Sequence, residues 1–125
     1  PMHFDQRTQQ ALREAGLDTD EIQAASASVV DATQETAENL EAFFDDLDTV
    51  HSDMDIAHSS SDVVEHTVEY VDLYTHGADL RGYLKFDGWG VYVEDGRVLT
   101  DDTVELTLGP TVHDRVKFTT DPDSL

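Results

Sequence analysis

The chain reads as an α+β protein: an N-terminal helical hairpin with one long amphipathic helix, packed on an antiparallel meander of five to six strands. Three observations lead there. Apolar residues recur at three- and four-residue steps up to about residue 58, they alternate with polar residues beyond residue 62, and turn residues suited to each pattern separate the segments. The helical half is placed at 5–58, the sheet half at 62–118 and a frayed tail at 119–125, all in one domain, since 125 residues allow one core.

The first helix starts at Asp5, a good N-cap, and runs to about Ala15, where Gly16 supplies a left-handed stop. Asp18 then caps a second helix. Glu21 three residues on completes a capping box, and Leu17 and Ile22 sit where a hydrophobic staple needs them. From there a stripe runs Ile22, Ser26, Val29, Thr33, Thr36, Leu40, Phe43, Leu47, Val50, Met54, which is heptad spacing. Alanines flank it. Such a stripe either covers the protein's own sheet or forms a homodimer seam.

The sheet half opens with Val63 to Thr75. Asp62 and Glu65 would also suit a helix start, but the β-branched and aromatic content of 67–74 favours a long strand. Its alternation slips near Tyr70-Val71, which predicts a bulge. Leu80 to Phe86 ends at Asp87-Gly88, and Trp89 to Glu94 ends at Asp95-Gly96, both favoured hairpin pairs. Arg97 to Thr100, a turn at Asp101-Asp102, the alternating Val104, Leu106 and Leu108, and a return over Val112 to Phe118 complete the meander.

Charge narrows the setting. Asp plus Glu number 28 against 7 Lys plus Arg, a net charge of −21, with Asp about twice as common as Glu and only two lysines, Lys85 and Lys117. At ordinary ionic strength so much charge of one sign repels itself. In molar salt the Debye length drops to ~3 Å and the repulsion is screened. The composition resembles that of proteins from salt-in halophilic archaea, and in cast the chain is similar to the short acidic haloarchaeal proteins that belong to domain families of unknown function. This resemblance spans the whole chain but rests on no catalytic motif, so it implies a salt-rich cytoplasm and no particular activity. Pro1 ahead of Met2 reads as a remnant of tag removal.

Several classes of chemistry are excluded or disfavoured. Without cysteine there is no disulfide, thiolate metal site or thiol catalysis. No apolar run approaches the ~20 residues of a membrane helix, and no basic-then-apolar leader is present, so no membrane partner and a cytoplasmic location are expected. Neither a phosphate-binding glycine loop nor a nucleophile elbow occurs. A non-enzymatic chain without a cofactor is therefore expected.

Two candidate sites remain. His51, Asp55 and His58 fall at i, i+4 and i+7 and share a helical face if the long helix reaches them; with His66 they would offer imidazole and carboxylate to a divalent metal, and hence a small metal-dependent enzyme. The second candidate follows from charge asymmetry. Between Arg13 and Arg81 there is no Lys or Arg, while Arg81, Lys85, Arg97, Arg115 and Lys117 lie in the sheet half among most of the aromatics. Arg81, Tyr83 and Lys85 share a face of their strand, and His113, Arg115 and Lys117 likewise share a face of theirs. This sheet face is the expected contact surface of a binding module, for a protein partner, a second copy of the chain (a homodimer), an anionic small ligand or RNA. A third reading takes the anionic helix as a nucleic-acid mimic for a basic partner.

Overall fold

A computed structural model describes residues 4–54, 63–109 and 114–125. Helices α1 (Gln6–Glu14) and α2 (Thr19–Asp45) precede six strands: β1 (Thr49–Ser52), β2 (Val64–His76), β3 (Asp79–Phe86), β4 (Trp89–Thr100), β5 (Thr103–Gly109) and β6 (Asp114–Thr119). All neighbouring strands pair antiparallel. The α+β class and the meander are as expected, and the meander goes further by closing on itself: β1 pairs with both β2 and β6, which makes a barrel.

The local signals at the helix starts hold. Asp5 accepts from the Thr8 amide at 2.7 Å, and the Asp18–Glu21 box is reciprocal, at 2.8 and 3.0 Å. Gly16 takes a positive φ of 103°, and its amide and that of Leu17 bond back to Arg13 and Leu12.

The long helix departs from its heptad. Its buried residues are Ile22, Ser26, Ala37, Leu40 and Phe44, so beyond Thr33 the buried stripe has moved one position from the expected Thr36 and Phe43. A straight helix turns every 3.6 residues rather than 3.5, so a heptad stripe drifts by about 20° per heptad, which moves the buried face toward the next residue along the helix. The helix packs on its own barrel, with Leu40 and Phe44 in the core cluster and Phe44 edge-on to Phe118 at 5.7 Å.

The helix also ends earlier than residue 58. Its last turn carries no basic residue, and Asp45 and Asp46 stand at the end where the macrodipole disfavours acids. Thr49–Ser52 is strand β1, with Val50 and Ser52 turned inward. The reading of 5–58 as helical therefore stops at Asp45. Local helical periodicity gives way because β1 supplies the ladder that joins β2 to β6.

β4 corrects a second expectation. Asp95-Gly96 is not a hairpin turn but a point inside one long strand, whose first half pairs with β3 and whose second half pairs with β5, with register shifts at Val93/Asp95 and Val98/Thr100. Such bulges give a strand the extra coil a small barrel demands. A Cβ on Gly96 would lie 2.7 Å from Leu40 and 2.8 Å from Leu106, so the glycine is there for the close approach of α2. The β2 bulge falls at Val68/Tyr70, close to its predicted position, and Asp87-Gly88 makes the two-residue turn between β3 and β4. At the C-terminal end, where fraying was expected, Thr119 is buried in β6, the Thr120 amide donates to Asp102 at 3.0 Å, and Asp121 caps a short 3₁₀ turn over Pro122–Ser124.

Candidate functional site

The outer face of β2, β3 and β4 carries the most distinctive surface among the described residues. After its bulge, β2 points Tyr70, Asp72 and Tyr74 outward, and these pair with Lys85, Tyr83 and Arg81 of β3. Tyr83 pairs in turn with Tyr92 of β4. All four tyrosines of the chain therefore stand on one three-stranded face. Tyr70, Tyr74 and Tyr92 are 53%, 62% and 61% exposed, well beyond what a barrel needs to fold. Tyr83 lies half-buried between them, its ring 5.3 Å from Tyr92 and 6.4 Å from Tyr70. It can lie flat because Gly90 below it has no side chain; a Cβ there would overlap the Tyr83 ring.

Two cations are set into this aromatic face. The Arg81 Nη1 donates to the carbonyls of Leu80 and Glu94, which holds the guanidinium against β4. Lys85 Nζ donates to the Phe86 carbonyl at 2.7 Å and pairs with Glu69 at 3.2 Å. That ion pair is partly exposed and contributes on the order of 0–1 kcal/mol, so it positions Lys85 more than it stabilises the fold.

Of the sequence-predicted contact residues, Arg81, Tyr83 and Lys85 thus come together, while Arg115 and Lys117 do not join them. They project from β6, three strands away from β3 in either direction around the barrel. There Arg115 lies near Arg97, Glu105 and Thr107, with Arg97 paired to Glu105 at 3.0 Å. His113 lies outside the described residues. The single face expected from strand alternation is two faces, because closure of the sheet turns β6 away from β3. Tyr70, Tyr74 and Tyr92 were legible as aromatics of the sheet half, but their common direction depends on the β2 bulge, whose position sets the side-chain parity.

Of the four residues of the candidate metal site, His51 and His66 are described. Asp55 and His58 lie outside the described residues. His51 and His66 occupy adjacent strands, where Val50 pairs with His66 and His51 with Glu65. His66 points into the barrel, 5% exposed, while His51 is half-buried on the other side of its strand. The shared helical face that motivated the cluster does not exist for His51, which is in β1. Among the described residues no three His, Asp or Glu side chains are grouped as metal ligands.

His66 has a structural environment instead. Its Nε2 lies 2.7 Å from the Ser52 hydroxyl, which also accepts from the Met54 amide at 3.3 Å. The ring stacks on Phe86 at 4.6 Å and meets Trp89 and Phe118. Burial, and secondarily the nearby positive charge of His51, lower its pKa below the usual histidine value. His66 is therefore a neutral core residue at physiological pH.

In class, then, this is a small six-stranded antiparallel barrel with a long helix packed across it and an exposed tyrosine-rich, cation-bearing face. No helix among the described residues is long and apolar enough to cross a membrane. The chain belongs to DUF7532, a family of unknown function, whose family model matches residues 2–123. No curated protein and no solved structure matches it.

Proposed function

We propose that this protein is a non-enzymatic binding module of the cytoplasm of a salt-in halophile, and that it contacts its partner through the outer face of β2, β3 and β4. The observation that carries this reading is the gathering of every tyrosine with Arg81 and Lys85 on one face of a strongly acidic protein. Tyrosine supplies a broad, rigid contact area at low entropic cost and keeps its hydroxyl for polar pairing. The cations relieve an otherwise negative surface where an anionic group can dock. High acidity, abundant Asp and scarce Lys support the halophilic setting.

The test is a double charge reversal. Arg81→Glu with Lys85→Glu changes two side chains that lie outside the core, so the fold is retained, as checked by far-UV circular dichroism in molar KCl. Capture of partners from a native high-salt lysate is expected to fall by about tenfold or more, in line with loss of two charge contacts. Equal capture by both proteins would refute the assignment of this face. Light scattering of the pure protein at the same salt identifies the case in which the partner is a second copy.

A further inference from the structure

Within that face lies a groove of about 280 Å³ lined by Tyr74, Arg81, Gly82, Tyr92, Val93 and Glu94. We infer that this groove binds a small planar anion, a single flat ring system bearing one phosphate or carboxylate, by stacking on tyrosine and by a forked contact to Arg81. The inference rests on the reading of this face as the contact surface and names what its centre takes.

Three features lead to that chemistry. First, the two most exposed tyrosines of the chain, Tyr74 and Tyr92, flank the groove from β2 and β4. Those strands are two apart, roughly 10 Å, and the two tyrosines are offset along them, Tyr74 facing Arg81 and Tyr92 facing Tyr83, so a single ring can stack on one phenol beside the guanidinium. Second, Arg81 is already oriented. Both of its hydrogen bonds run from Nη1 to backbone carbonyls, so the guanidinium is held while Nε–H and the Nη2 hydrogens make no hydrogen bond among the described residues. That edge is the planar fork that suits a carboxylate or phosphate, and its ordering cost is met in folding. Third, the floor of the groove is low, because Gly82 and Val93 are both inward-facing positions of their strands and put no side chain into it.

Size and charge together select a small ligand over a nucleic acid strand. The volume is below the ~300–1,000 Å³ of sites that enclose drug-sized molecules. The two cations of the face are accompanied by Glu69, Asp72 and Glu94, and the whole chain carries −21. A strand of phosphates needs a row of uncompensated Lys and Arg from which counterions are released. This face offers one oriented guanidinium, enough for one anionic group.

The experiment is an NMR titration of the full chain in molar KCl with adenosine monophosphate and with indoleacetate, alongside adenosine and inorganic phosphate. Saturable shifts at the Gly82 and Val93 amides with either planar anion are expected, and the better of the two identifies the head group. Adenosine and phosphate alone should each bind at least about tenfold more weakly, since each makes half the contacts. Arg81→Lys, which keeps the charge but loses the fork, and Tyr92→Leu should each weaken binding about tenfold. Three results would overturn the inference: no saturation by either planar anion up to ~10 mM, equal binding of inorganic phosphate, or unchanged affinity in both variants. Tighter binding of a single-stranded oligonucleotide across the whole face would overturn it in favour of a polymer. If the planar anions fail while partner capture still depends on Arg81 and Lys85, this inference falls and the contact face stands; if capture is also insensitive, both fall.

Discussion

Gly96→Ala tests how α2 is docked on the barrel. The added methyl would sit 2.7 Å from Leu40 and 2.8 Å from Leu106, closer than carbon atoms approach. Neither neighbour can swing into solvent, because both are fully buried. Overpacking of this kind costs about 1–3 kcal/mol, and in a domain of this size each kcal/mol lowers Tm by roughly 3–5 °C. Leu40→Ala alone should cost about 2–5 kcal/mol through the cavity it leaves. In the double variant the new methyl enters the space vacated by Leu40, so the combined loss should fall short of the sum by about 1–2 kcal/mol. Urea denaturation of the four proteins in molar KCl measures this coupling. Additive losses would refute the contact. They are also what a glycine needed only for a left-handed hairpin turn would give, since such a residue has no reason to sense Leu40.

Two further outcomes follow from the buried histidine and the surface charge. The His66 pKa is lowered on folding, so the unfolded chain takes up the proton first as pH falls. The stability tied to His66 is therefore complete above the unfolded value of about 6.5. It declines by up to about 1.4 kcal/mol per pH unit as pH drops toward the folded pKa. Denaturation midpoints between pH ~7 and ~5 should fall more steeply for the native protein than for His66→Phe, and parallel curves would sink the assignment. The second outcome concerns salt. With a net charge of −21, Tm should climb as KCl is raised toward molar concentration, because screening removes self-repulsion from the compact state. A flat response in calorimetry would contradict the halophilic setting.

Part of this molecule was legible residue by residue. The helix starts at Asp5 and Asp18 were, because a cap is satisfied by side chains three residues apart and needs nothing distant. The Asp87-Gly88 turn and the inward run of Leu80, Leu84 and Phe86 were legible for the same reason. The outward placement of Arg81, Tyr83 and Lys85 then followed from strand parity. Parity carries no information about where one strand lies relative to another, so Arg115 and Lys117 were grouped with β3 although the barrel sends them elsewhere. The helical spacing read for His51, Asp55 and His58 does not hold at His51, because Thr49–Ser52 forms β1.

By itself the sequence determined the acidic character, the α+β class, the two helix starts and the faces of the clean strands, all consequences of composition or of short-range spacing. Only the tertiary structure decided that the meander closes, that Thr49–Ser52 is the strand that closes it, and that Gly96 lies under Leu40 rather than at a hairpin tip. It alone placed Tyr74 and Tyr92 around Arg81, and Tyr70 opposite Lys85. The physical reason is common to all of these. Each depends on a ladder or a packing contact between residues far apart in the chain, and such contacts override a local preference worth only a fraction of a kcal/mol per residue.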